Sequence, residues 1–169
     1  MTRLALPKRK IVVPQPLKGV RHGFVPETLL APIKPYGKLY LEAAKAWGAM
    51  RLAARADGVV LKPTSTGDTY RSYEMQARAF RQRYQTEPIV GASTRTWDGV
   101  KWYKKSEKLA DLATPGKSWH NLGLACDVAN ASGIILDWLM AHELDYGFCH
   151  EMDREPWHIV FFTHLAGKA

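Results

Sequence analysis

The sequence predicts an α+β fold, a small and mostly antiparallel sheet flanked by helices. Three observations predict it. Apolar residues recur at helical spacing over 36–57, 72–85 and 134–145. Short apolar runs of strand length occupy 122–129 and 157–162. The two kinds of segment follow one another irregularly, with no internal repeat and no low-complexity tract. At 169 residues the chain has the length of one domain and can bury a core without staples.

Taken in order, residues 1–35 carry Pro7, Pro14, Pro16, Pro26, Pro32 and Pro35. That density predicts an extended N-terminal arm, draped over the domain or loosely ordered, ahead of a domain at 36–169. Leu39, Ala43, Trp47, Met50 and Ala54 then mark one face of a helix that Asp57-Gly58 ends. Residues 59–62 read as a short strand. Ser72 is a candidate cap for a helix over 72–85, with Tyr73, Ala77, Phe80 and Tyr84 on one face and the arginines largely off it. Residues 88–105 show no clear period and read as a long loop, with a short helix expected at 106–112. Residues 122–129 alternate as a strand. Gly133 precedes a helix over 134–145, with Ile135, Leu139, His142 and Tyr146 on one side, and Tyr146-Gly147 breaks it. Trp157 to Phe162 forms the last strand.

Hydrophobic residues make up 46% and charged residues 24%, the balance of a soluble globular chain. No apolar run approaches the roughly 18 residues of a membrane span, so no membrane anchor is expected. The N-terminus has charge but no continuous apolar stretch with a cleavage site, so no signal peptide is read and synthesis in a cytoplasm is expected. A net charge of +8 favours an anionic partner, among them nucleic acid, a membrane surface or bacterial wall polymers. Charge alone does not choose between them. The two cysteines, Cys126 and Cys149, do not make a disulfide framework, and Cys126 reads as a small buried hydrophobe.

The chemistry concentrates in two apolar segments that each carry a histidine and a carboxylate. In SWHNLGLACDVAN, residues 118–130, Asp127 shares a strand face with Ala125 and Ala129, which leaves room beside its carboxylate. His120 lies in the approach, and Gly123 lets the chain turn between them. His158 in EPWHIVFF, residues 155–162, is the best third ligand for one divalent metal. Two histidines and an aspartate leave a zinc site with charge +1, and a fourth, open position brings the pKa of bound water down to about 7. Glu155 is the candidate base, provided that a turn brings it beside His158; Pro156 keeps it from continuing a helix.

These residues also carry a resemblance. Ser118-x-His120-x-x-Gly123-x-Ala125-x-Asp127, followed by Glu155-Pro156-Trp157-His158, resembles the signature of the D-alanyl-D-alanine carboxypeptidase family of zinc peptidases. That family includes vancomycin-resistance carboxypeptidases and bacteriophage endolysins, and shares the hedgehog/DD-peptidase fold. Tyr70-Arg71-Ser72-Tyr73-x-x-Gln76 resembles a further block of it. The three blocks span about 70–162, and the first 60 residues match none.

The resemblance implies His120, Asp127 and His158 as ligands of one Zn2+ and Glu155 as general base and acid. Arg71 would hold the carbonyl oxygen as it gains charge, or the substrate's carboxylate. Ser118 and Gln76 would contact the peptide, and Trp157 would wall the pocket or serve the core. His150 and Glu151 are candidates to support the site from behind. His22, His142, His150 and His164 match no motif position.

The implied substrate is bacterial peptidoglycan, cut as a D-Ala-D-Ala carboxypeptidase cuts it. The alternative is an L-alanyl-D-glutamate endopeptidase of the endolysin branch. A phage lysin is expected from the unread signal peptide. A basic surface would adhere to anionic wall polymers, and a monomer that acts on the cell wall is expected. A non-catalytic wall-binding or structural protein on the same fold is the reading of another class. Nucleic-acid binding has no motif behind it.

Overall fold

A computed structural model describes residues 5–162; His164 lies outside the described residues. It is an α+β fold built from three small antiparallel sheets and three α-helices. Strand β1 (Leu30–Pro32) pairs with β2 (Lys38–Tyr40), which runs straight into helix α1 (Leu41–Ala56). The five residues that mark the expected helix face, Leu39, Ala43, Trp47, Met50 and Ala54, are all fully buried. They pack in one core with Leu17, Val25, Leu30 and Ile33 from the proline-rich segment. That segment also meets the far end of the chain: the Val12 amide donates to the Phe162 carbonyl, and the His150 amide to the Pro7 carbonyl.

Helix α2 (Tyr73–Arg83) starts where the hydroxyl of Ser72 accepts the Met75 amide, as the cap position requires. Its end differs from expectation, because Tyr84–Gln85 leaves the helix as strand β3. The expected loop over 88–105 is a hairpin: β4 (Thr94–Trp97) and β5 (Val100–Lys104), with β5 in the middle of a β3-β5-β4 sheet. Asp98 and Gly99 both have positive φ, 48° and 74°, the two-residue turn whose twist suits a hairpin. The expected helix at 106–112 is one turn, in which the Leu109 amide donates to the Ser106 carbonyl, followed by irregular chain. Tertiary contacts take that segment: Asp111 pairs with Lys104, and Leu112 packs with Phe80 and Tyr84.

Residues 59–62 alternate in burial but form no strand. The extended segment meets the site sheet at one bridge, Pro63 with Val128, where the Thr64 amide donates to the Asp127 carbonyl and the Ala129 amide to the Lys62 carbonyl. The site sheet has the order β6-β8-β7, from β6 (Ala125–Asp127), β7 (Phe148–His150) and β8 (His158–Phe161). Strand β6 is shorter than expected because residues 119–122 coil into a 3-10 turn. Helix α3 (Gly133–His142) closes over the core with Leu136, Trp138 and Leu139, and continues as a 3-10 turn through Tyr146. No helix of the described residues is long and apolar enough to cross a membrane. Cys126 and Cys149 are free and buried.

Candidate metal and peptidase site

The site is assembled on the β6–β8 pair. The antiparallel register sets Asp127 opposite His158. His120 arrives from the preceding 3-10 turn, which Ser118, the residue before it, caps by accepting the His120 amide on its hydroxyl. Gly123 ends that turn at φ +70°, and a Cβ there would stand 2.8 Å from the Tyr40 nitrogen. Only glycine lets the chain turn this close to β2, and the turn returns it into β6 with His120 and Asp127 facing one point.

His120 Nε2 lies 3.2 Å, and His158 Nδ1 2.9 Å, from the same Oδ1 of Asp127. The donor atoms of the three side chains lie within 4.8 Å of one another, so the cluster can hold a metal ion. The other ring nitrogens are engaged from behind. His120 Nδ1 is 2.8 Å from the Thr69 carbonyl, and His158 Nε2 is 3.0 Å from Glu151 Oε2. A metal-binding histidine needs this support, an outer acceptor that fixes the tautomer and turns the free nitrogen inward. Two imidazoles and one carboxylate are a donor set that suits zinc.

Electrostatics follow from burial and these contacts. Burial pushes the Asp127 carboxyl up, but His120 and His158 outweigh it and hold it well below the usual carboxylate range. Burial pushes His158 down, but its hydrogen bonds to Asp127 and Glu151 raise it to about 9. His120, fully enclosed, is lowered by burial. Both histidines therefore sit in a strongly polarised pocket that an added cation would reorganise.

The triad lies in a cleft of about 550 Å³, also lined by Arg71, Ser118, Glu151, Glu155 and Trp157. The turn expected between Glu155 and His158 is present: the His158 amide donates to the Glu155 carbonyl at 3.0 Å. The half-buried Glu155 carboxyl is raised above its ordinary value by burial. Behind the turn, His150 Nε2 lies 2.7 Å from the Pro156 carbonyl, and its Nδ1 is 2.8 Å from the fully buried Glu143. Arg71 is 8% exposed. Its Nη1 donates to Gln76 Oε1 at 3.0 Å, its Nη2 is 3.9 Å from Asp127 Oδ2, and its Nε has no partner among the described residues.

Gln76, expected against the peptide, is completely buried. It accepts from Arg71 and donates to the Ala113 carbonyl at 2.8 Å, so it orients the guanidinium. Asn121 is a structural residue that sequence reasoning missed. Its amide bonds the Arg71 carbonyl at 2.9 Å, and its Oδ1 accepts the amides of Gly116 and Ser118. Glu151 is placed more directly than expected, as it also accepts the Trp119 indole N–H at 3.0 Å. The Thr69 carbonyl was invisible in the sequence, since any residue has one.

Comparison with known proteins bears on the fold and the family. No curated protein matches the chain. Among solved structures, the chain is similar to the LdcB LD-carboxypeptidase (TM-score 0.59, 24% identity, 85% of this chain and 72% of that one). It is also similar to VanYB in complex with D-alanine-D-alanine (TM-score 0.56, 23% identity, 81% and 78% covered). A third is the vancomycin-resistance D,D-pentapeptidase VanY of the VanB-type cassette, a glutamate-to-alanine variant in complex with Zn(II) (TM-score 0.55, 23% identity, 84% of each chain). The model of the VanY D-alanyl-D-alanine carboxypeptidase family matches residues 37–164, three quarters of the sequence and the whole of the site, and the chain belongs to that family.

Proposed function

We propose that the protein is a zinc-dependent peptidase that removes the terminal D-alanine from peptidoglycan stem peptides ending in D-Ala-D-Ala. The observation that carries this reading is the convergence of His120 Nε2, Asp127 Oδ1 and His158 Nδ1 in a cleft that also presents Glu155 and Arg71. His120, Asp127 and His158 hold the zinc. When bound, the ion acts as a Lewis acid that polarises the scissile carbonyl and acidifies water. Glu155 takes the proton from the attacking water and delivers it to the departing amine of D-alanine. Its raised carboxyl suits both halves of that task.

Arg71 supplies a fixed, nearly buried cation, and a charge held there is worth far more than in water. It steadies the carbonyl oxygen as charge develops, or binds the free carboxylate of the substrate. Gln76 holds it in register. Ser118 caps the 3-10 turn by accepting the His120 amide, its O–H is left to donate to the peptide, and Trp157 forms part of the cleft wall.

The test is mass spectrometry of purified muropeptides incubated with the protein, with and without a chelator. Chelator-sensitive loss of one D-alanine is expected. Release at the L-alanyl-D-glutamate bond would replace this reading with the endopeptidase one. Intact substrate at one bound zinc would leave a wall-binding protein.

A further inference from the structure

Away from the ligand triad, the same cleft is lined by Arg83, Arg95 and Arg154. They come from three separate places: the last turn of α2, strand β4, and the loop before β8. They gather around one acidic residue. Arg154 Nη2 and Arg95 Nη2 lie 3.1 and 3.7 Å from the same Oδ2 of Asp111, and Lys104 Nζ takes Oδ1 at 2.7 Å. Arg83 Nη1 donates to the carbonyls of Ala110 and Asp111. The second acid nearby, Glu107, is committed to Ser93 and stands 3.8 Å from Lys104.

One carboxylate oxygen cannot satisfy two guanidinium forks, each of which presents its N–H donors in a plane suited to a whole carboxylate. Lys104 is 5% exposed and holds Asp111 in place. Arg95 and Arg154 remain open, with side chains 34% and 69% exposed. Of the four other acids of the cleft, three are engaged elsewhere, and the fourth, Glu155, lies within electrostatic reach of Arg154 but forms no ion pair with it among the described residues. Asp127 and Glu151 serve the histidines, and Asp68 accepts from Ser65. An excess of positive charge in a concave wall is a place for an anion.

We propose that Arg95 and Arg154 form a second carboxylate-binding subsite, which selects acidic stem peptides, those with a free carboxylate upstream of the scissile bond rather than a carboxamide. The inference rests on the peptidase reading above. It concerns which peptides are held, and leaves the bond cleaved to the triad and Glu155.

The experiment is equilibrium binding to the zinc-loaded Glu155→Gln protein, so that no turnover intervenes. Two probes are used: a stem pentapeptide ending in D-Ala-D-Ala with its internal carboxylates free, and the same peptide with them amidated. At low ionic strength the acidic peptide should bind about fivefold more tightly, the upper range for a partly exposed ion pair. The preference should shrink with added salt. It should fall to near one in the Arg95→Gln/Arg154→Gln background, whose thermal midpoint reports that the fold is kept. Equal binding of both peptides to the parent protein, or a preference that survives the two substitutions, would overturn the subsite alone. Binding of neither peptide would overturn the stem-peptide reading with it.

Discussion

The two walls of the cleft are held by different physics. The ligand wall belongs to the main core: His120 and His158 are 3% and 6% exposed, and both nitrogens of each ring have partners. The facing elements α2, β4 and β5 have a small aromatic core of their own, Phe80, Tyr84 and Leu112 with Trp97 and Trp102 packed against it. Arg95 on β4 is partly exposed and pairs with Asp111, and Arg154 reaches the same carboxylate from the loop before β8. The difference separates two jobs. Groups that hold a metal and move protons need fixed geometry, and burial with full hydrogen bonding provides it. Groups that choose among substrates can be exposed, as Arg95 is on the separately packed sheet and Arg154 is on the loop before β8.

The sharpest break of this comparison is at Glu155. Glu155→Gln keeps the shape of the turn and removes the base, so hydrolysis should fall roughly 10²–10⁴-fold. Zinc content, measured by atomic emission on the purified protein, should stay at one per chain. A variant that keeps full activity would take Glu155 out of the mechanism. A variant that loses zinc would make it a ligand.

On the other wall, Phe80 is fully buried, stacks on Tyr84 at 4.4 Å between ring centroids, and meets Trp97 and Trp102 edge-on. Phe80→Ala should destabilise the protein by about 3–5 kcal/mol. The loss should appear as hydrogen exchange in β4 and β5, with β6 and β8 still protected and zinc still bound. Equal loss of protection in both sheets would show that the two walls are one cooperative unit.

What was legible in the sequence follows the same division. His120, Asp127, Glu155 and His158 stood out because charged groups in apolar runs are costly without a partner, and their spacing matched a strand and a turn. The α1 face was legible because five apolar residues kept one helical phase. The hairpin was not, although Asp98-Gly99 is its turn signal, because Thr94 to Lys104 mixes Trp, Tyr, Lys and Arg on a half-exposed sheet without clean alternation. Strand β7 is only three residues long, too short for any period to register. The Arg95–Asp111–Arg154 cluster is assembled by tertiary contact across 59 positions of chain, and no local pattern announces it.

Glu151 lets the support behind the ligands be measured by itself. Its carboxylate fixes His158 Nε2 and the Trp119 indole, and it stands outside the proposed ligand set. Its carboxyl is held below the ordinary value, chiefly by the hydrogen bond from His158. Glu151→Gln keeps the size and removes the charge. Zinc affinity, measured by competition with a chelating dye, should weaken roughly 10–100-fold. An unchanged affinity would mean that β8 alone orients His158.

The smallest expected effect is at Asp111, and it is the one that pH can read. The hydrogen bond from Lys104 holds the Asp111 carboxyl below its ordinary value, with help from Arg95 and Arg154. A group whose folded pKa is depressed adds stability above its unfolded pKa and loses it as pH falls through the folded one. Asp111 should therefore contribute at pH 5 and above, and progressively less below about 4. Asp111→Asn should cost about 1 kcal/mol near neutral pH, since it leaves the buried Lys104 with a weaker partner, and progressively less as pH falls through the depressed pKa of Asp111. Thermal midpoints of the two proteins across that range should converge toward acid. Parallel curves would show that the pair carries no charge-dependent stability and that the arginine wall is held by packing. If they converge, the same carboxylate that steadies Lys104 also competes with substrate for Arg95 and Arg154, and the variant should bind the acidic stem peptide more tightly as it becomes less stable.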